Sequence, residues 1–263
     1  MKDILRKILK IHWLIRQPLT KEPSDSLAMV SDLFVWRRDE DWSTFFELLD
    51  LPALFGDDDE HFVNIIFFDQ SGTKIYTHKV ELLKLQKQIL SISKIIDQVG
   101  DTSKIGTFAV FHSKVPNNII QSDSWITERG YVGYRYKNSP LSSYTHGNYD
   151  AIAKTINAFE LLGGESFLNR IYQLQFLFLP KNNYEIVLVN TCSKVKKITI
   201  QLLSVKNGAI LDTHLSIVQP RVPFIVPIKN ILEPSRVVIK SRIVMSRPII
   251  FSLYNNKGDV SHG

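Results

Sequence analysis

The stretch Ser142–Ala151, SSYTHGNYDA, gathers hydroxyls, a histidine, an amide and a carboxylate within ten residues. Three chemistries could use them. Ser142 or Ser143 with His146 and Asp150 has the residue types of a nucleophile, its base and an orienting acid. A triad, however, is made by convergence in space, and closeness in sequence is no sign of it. His146 and Asp150 lie four apart at a predicted helix start, and His112, which ends the run TFAVFH, could approach them from elsewhere. Two histidines and one carboxylate are a thin donor set for a metal, so no metal is expected. The single cysteine, Cys192, can form neither an intramolecular disulfide nor a multi-cysteine zinc site.

The third chemistry is binding, and it has more support. ERGYVGYRY (128–136) puts Tyr134 and Tyr136 on one face of a strand and Arg129, Tyr131 and Arg135 on the other. Tyrosine offers both a stacking face and a hydrogen-bonding tip. Arginine, histidine and asparagine add polar contacts. The candidate ligand-binding residues are therefore Arg129, Tyr134, Arg135, Tyr136, Tyr144, His146 and His112, facing a hydroxyl-rich, carbohydrate-like ligand. Trp36, Arg37 and Arg38 end another strand and could join the rim. No catalytic residue is assigned and no cofactor is expected. The chain lacks G-x-G-x-x-G, G-x4-G-K-[ST], G-x-S-x-G and H-E-x-x-H, which weakens the nucleotide-dependent and α/β-hydrolase readings. Lys194, Lys196 and Lys197 form the densest basic cluster but carry no interleaved aromatics, so a nucleic-acid partner is not expected.

These residues must be held by strands. Short apolar runs punctuated by turn residues recur along the chain: SDLFVWR (31–37), STFFELLD (43–50), FVNIIFFD (62–69), KIYTHKVEL (74–82), ILSISKI (89–95), TFAVFH (107–112) and YVGYRY (131–136) in one half. The other half has IYQLQFLFL (171–179), YEIVLVN (184–190), KKITIQLL (196–203), AILDTHLSI (209–217), PFIVPI (223–228), RVVIKSRIVM (236–245) and PIIFSLYN (248–255). Gly72 and Gly208 mark hairpin turns that need positive φ.

The halves can be laid against each other. Gly72, Thr77 and His78 match Gly208, Thr213 and His214 at one constant spacing, and a later match sets Arg129, Val132, Tyr136 and Asn138 against Arg247, Ile250, Tyr254 and Asn256. Two matches in the same order suggest duplication. The fold expected is all-β: two tandem duplicated antiparallel β-sandwich repeats, jelly-roll or Ig-like, at 31–147 and 171–256. Between them, Tyr149, Ile152, Ile156 and Phe159 recur at helical spacing, with Asn148 as cap and Gly163-Gly164 as stop. This predicts an inter-repeat helix within a connecting segment 148–170. Residues 257–263 read as a tail.

The N-terminus spaces Ile4, Ile8, Ile11 and Ile15 along one stripe, with Lys2, Arg6 and Lys10 opposite. That is a basic amphipathic helix over 1–17, joined by a linker, 18–30, and suited to an anionic membrane surface. No run reaches the ~20 apolar residues that span a bilayer. A net charge of +6 is compatible with an acidic partner but selects none. The lone cysteine favours a reducing compartment. Together these readings describe a non-enzymatic binding or accessory protein, cytoplasmic and peripheral at the inner face of a membrane, with a carbohydrate-like ligand. The alternatives are a glycan-processing enzyme centred on His146 and His112 with Asp150 or Glu128, and a structural assembly protein that forms homo-oligomers.

Overall fold

The computed structural model describes residues 4, 23–24, 29–54, 56, 59–84, 86–113, 127–128, 130–148, 151–156, 158–244 and 247–263. The predicted helix over 1–17 and the linker behind it lie almost wholly outside these residues, as do Arg129 and Asp150. Of the described residues 57% are strand and 6% helix, which upholds the all-β part of the expectation.

Among the described residues the strands assemble into five four-stranded sheets. The first is β2 (Phe34–Arg37), β7 (Ile105–His112), β4 (Phe62–Phe68) and β5 (Lys74–Glu81), in that spatial order. The second is β10 (Ser143–Thr145), β9 (Tyr131–Tyr136), β3 (Trp42–Leu48) and β6 (Gln88–Ser91). The third is β13 (Glu165–Gln173), β18 (Ser235–Ile243), β15 (Lys196–Ser204) and β16 (Ile210–Val218). The fourth is β17 (Pro223–Ile228), β14 (Asn183–Val189), β19 (Ile249–Tyr254) and β20 (Lys257–His262). The fifth is β12 (Phe159–Leu161), β11 (Ile152–Lys154), β1 (Met29–Ser31) and β8 (Thr127–Glu128), in which β1 and β8 run parallel.

This sheet count overturns the expected pair of duplicated sandwiches. Five small, nearly all antiparallel sheets have the number and size of the blades of a five-bladed β-propeller, and they do not divide into two equal sets. The fifth sheet draws strands from 29–31, 127–128 and 152–161 and has no counterpart. The hairpins of the first sequence match do share a turn: Gly72 and Gly208 have φ of +80° and +73°. In the second match the environments differ, since Tyr136 is 8% exposed and Tyr254 is 52% exposed.

The expected inter-repeat helix is replaced by the β11–β12 hairpin. Thr155 closes it, with its amide donating to the Ala158 carbonyl at 2.9 Å. The helical spacing of Ile152 and Ile156 was misleading: Ile152 is fully buried and Ile156 is 82% exposed. β-Branched side chains favour the extended backbone, and a period of two fits this short run as well as 3.6. Asn148 does not cap a helix; its side-chain amide donates to the Leu33 carbonyl at 2.9 Å. Among the described residues helices form instead at α1 (Leu51–Leu54) and α2 (Ile92–Val99), the second within a segment expected to be strand. Ile92, Ile95 and Ile96 of α2 are buried at i, i+3 and i+4, and Gly100 ends the helix at φ +75°.

Two large apolar clusters and one small one hold the sheets together. The first cluster joins the first two sheets through Phe34, Phe46 and Phe108, whose rings lie 5.0 to 5.4 Å apart. Strand β7 is buried at every position because the fifth sheet covers its second side, with Phe159 stacked on Phe111. The second cluster lies between the third and fourth sheets.

The fourth sheet serves both clusters. Along β14 and β19, Ile186, Leu188 and Ile250 join the second cluster, while Val187, Val189, Ile249 and Phe251 join the first. Period-two alternation of apolar residues with apolar residues produces this two-sided sheet. At the seam Phe251 meets Trp42 and Tyr134 edge-on at 4.9 and 5.0 Å, and the Arg37 guanidinium lies 4.7 Å from its ring centre. Arg37, nearly buried, pairs with Asp39 beside it and with Glu185 of β14.

Candidate functional site

Strand β9 decides which candidate residues a ligand can reach. Its inward set is Val132, Tyr134 and Tyr136, all buried. The Tyr134 hydroxyl donates to the Val35 carbonyl at 2.8 Å, and burial pushes this phenol well above its usual range. Tyr136 packs edge-on against Trp42 at 5.1 Å. Both tyrosines are core residues closed to solvent.

The outward set is Tyr131, Gly133 and Arg135. Gly133 pairs with Tyr144 of β10 and has no side chain to keep that residue off the sheet. A Cβ there would meet Tyr144 Cε1 at 2.8 Å, so the Tyr144 ring rests on the Gly133 backbone. Arg135 lays its guanidinium 4.5 Å from the centre of Phe45 on β3, and its Nε donates to Ser142 Oγ at 3.4 Å. His146, just past β10, packs its ring 4.5 Å from that of Tyr131. Glu47 lies opposite Tyr131 in the sheet and binds Lys87 at 3.1 Å. The outer face of β3, β9 and β10 thus carries two exposed tyrosines, a phenylalanine, an arginine, a histidine and a carboxylate. Tyr131 and Tyr144 are 47% and 43% exposed, enough to offer ring faces.

His112 lies elsewhere, buried at the end of β7. Its Nε2 is 3.1 Å from Glu128 Oε2, while Glu128 Oε1 accepts from the Gly130 amide at 2.8 Å. Both carboxylate oxygens have partners, and both side chains are at most 3% exposed. This is a buried polar pair that ties β7 to β8, and it does not meet His146. Among the described residues no three His, Cys, Asp or Glu side chains gather as a metal site would require. Cys192 is buried, with its thiol 3.3 Å from the Gly164 carbonyl and burial pushing its pKa up to about 12.

The structure therefore brings together Arg135, Tyr144 and His146, and sets Tyr134, Tyr136 and His112 in the interior. Three members of the outer strip, Tyr131, Phe45 and Glu47, were absent from the candidates. For Tyr131 a signal was present: in YVGYRY the set holding Val132 is the natural inward one, which sends Tyr131 outward with Gly133.

No family model matches this chain, and no curated protein matches it. Among solved structures, a glycosyl hydrolase family 2 member from Bacteroides cellulosilyticus aligns at 8% identity over 94% of this chain and 30% of its own, with a TM-score of 0.16. A second structure of a glycosyl hydrolase family 2 member from that organism aligns at 9% identity over 94% and 31%, again at 0.16. A mutant VP2 protein of infectious bursal disease virus aligns at 10% identity over 92% and 69%, also at 0.16. The chain spans about 30% of the length of the hydrolases it is aligned with. Similarity at that TM-score carries no argument about fold or function.

Proposed function

We propose that this is a non-enzymatic binding or accessory protein whose ligand is polar and carbohydrate-like, held on the outer face of β3, β9 and β10. The observation that carries the proposal is the seating of the Tyr144 ring on Gly133, on the same face as the exposed ring of Tyr131. Two partly exposed tyrosine rings offer apolar faces to the C–H face of a sugar ring, and their hydroxyls reach its oxygens. Arg135 supplies donors and Glu47 acceptors on the same face. Saccharide titration followed by NMR tests the proposal. Tyr131→Ala and Tyr144→Ala should each weaken binding, whereas Tyr134→Phe, inside the core, should leave it unchanged. A folded chain that shifts no resonance of this face with any saccharide class would refute it.

The cellular setting proposed is cytoplasmic, since the buried thiol of Cys192 needs no oxidising partner. Among the described residues no helix is long and apolar enough to cross a membrane. Residues 1–17, as a basic amphipathic helix, would hold the protein at an anionic inner surface. Vesicle co-sedimentation should then be salt-sensitive and lost on deletion of 1–17; retention after deletion would remove this part of the proposal.

One observation favours the assembly reading beside it. Leu215, Thr199, Lys240 and Ile171 form a row across the outer face of the third sheet. Leu215 and Ile171 are 77% and 68% exposed at its two ends. Apolar residues so placed suit contact with a second copy. Light scattering that shows a monomer at all working concentrations would exclude it.

A further inference from the structure

The basic cluster around Lys196 lies in a sheet that the carbohydrate proposal leaves unused. In the third sheet Ile198, Ile200, Val237 and Ile239 point into the second cluster, so alternation sends their neighbours to the outer face. Four cations stand there: Lys197 on β15, and Arg236, Lys240 and Arg242 on β18. Among the described residues of these strands no Asp or Glu shares that face. Asp212 falls opposite Leu202 in the inward set, beside His214, and Glu165 at the end of the sheet is held by Lys196 at 2.9 Å. Among the described residues none of the four cations forms an ion pair. Lys197 and Arg242 also line a recess of about 390 Å³ with Asn169, Val195 and Lys196. The side chains around it are donors, which suits the oxygens of a phosphate.

Large apolar side chains flank the cations. Leu215 and Ile217 lie on β16 at one edge of the sheet, and Ile171 lies on β13 at the other, with Phe167 and Leu168 in the irregular start of that strand. All five are more than half exposed. A second copy would cover these apolar edges, but a two-fold contact would set Lys197, Lys240 and Arg242 against their own like charges. A nucleic acid would take the charges and leave the aliphatic edges in water. An anionic bilayer takes both, with cations on its phosphates and apolar side chains among its headgroups.

We infer that the outer face of the third sheet docks on a bilayer of anionic phospholipid, with a lipid phosphate at Lys197 and Arg242. The inference rests on the proposed membrane setting and adds a second attachment to residues 1–17. Each attachment alone is weak. The two together hold, because the first contact raises the effective concentration for the second. The face is separate from the tyrosine face on β9 and β10 and does not depend on the carbohydrate proposal.

The test is co-sedimentation of the full chain with vesicles of phosphatidylcholine and phosphatidylserine, phosphatidylcholine alone being the neutral control. Lys197→Gln with Arg242→Gln should weaken binding about thirtyfold, the value of two basic residues at a charged surface. Lys94→Gln with Lys104→Gln removes the same net charge outside the third sheet and should leave binding unchanged. Leu215→Ser with Ile217→Ser should weaken it with every cation in place. An environment-sensitive fluorophore on Leu215→Cys should shift to the blue on the mixed vesicles; Cys192, being buried, stays unlabelled. Equal loss in the two Gln pairs would overturn the inference, since net charge alone would then be read. So would unchanged binding in the Ser pair, a label that does not shift, or a label already blue in a dimeric chain without vesicles, which gives the face to a second copy. Binding that is lost on deletion of 1–17 but unchanged by Lys197→Gln with Arg242→Gln would overturn this inference alone. A full chain that ignores the mixed vesicles would overturn the membrane setting with it.

Discussion

Truncating Phe251 to alanine asks whether the two halves of the chain are energetically one unit. Phe251 is fully buried and contacts Trp42, Tyr134 and Arg37, all from the first half, although it belongs to β19 of the second. Removing a buried phenylalanine costs about 3–5 kcal/mol. Edge-on ring pairs of the kind made to Trp42 and Tyr134 add about 0.5–1.5 kcal/mol each beyond burial. The upper end, about 5 kcal/mol, is therefore expected, and in a chain of this size each kcal/mol moves Tm by about 2–4 °C. The expected fall is roughly 10–20 °C. All four tryptophans, Trp13, Trp36, Trp42 and Trp125, precede residue 130, so their fluorescence reports the first half while far-UV circular dichroism reports the whole. Because the fourth sheet contributes to both large clusters, the two signals should fall together and by the same amount. A tryptophan transition that moves while a second, circular-dichroism transition stays in place would refute the coupling, and a fall of a few degrees would refute the magnitude.

Other outcomes follow from named groups. Tyr144→Ala should weaken saccharide binding about three- to tenfold, the value of one stacked ring, and change stability by less than about 1 kcal/mol because the ring is half exposed. Tyr134→Phe should cost about 1 kcal/mol by leaving the Val35 carbonyl without its donor, measured by urea unfolding. Burial lowers the pKa of His78 and of His262, so below the ordinary histidine value of 6.5 the unfolded chain binds more protons than the folded one. Stability should accordingly be retained at neutral pH and decline as pH falls through the window below 6.5, and His262→Gln should flatten part of that slope. Cys192, with its thiol pushed up to about 12, should resist a maleimide at pH 8 until the chain unfolds. The unfolded thiol loses its proton first, so its contribution should erode stability as pH rises from its ordinary range toward 12.

The strands were legible because their apolar residues run at short intervals between turn residues, and the hairpin glycines Gly72 and Gly208 announced their φ. The sheet partition was not legible, because pairing in this fold is between distant segments: β1 takes β11 on one edge and β8 on the other. Local pattern cannot distinguish a strand that alternates against one core from β14, which alternates between two. The segment 148–162 shows the same limit, since a few apolar residues fit a helix and a hairpin alike until Thr155 and Ala158 are seen to close a turn. Of the site, alternation set Arg135 on one face of its strand with Tyr131, while Tyr144 was read without the strand β10 that carries it. What escaped was the choice of face: Tyr134 looked like a ligand contact because its hydroxyl is polar, yet Val35 offers that hydroxyl a buried partner, and residue type alone cannot show the partner.

The two-faced fourth sheet also bears on how the chain is made. Its last strand, β20, is the one that lays Gly258 against Tyr136 and Trp42. During synthesis the first half emerges long before β14, β19 and β20, so its phenylalanine cluster waits with one side bare. Nascent chains with such exposed apolar surface are the ones that chaperones hold. Among the described residues the phenylalanine cluster therefore gains its second side only when β14, β19 and β20 have been made.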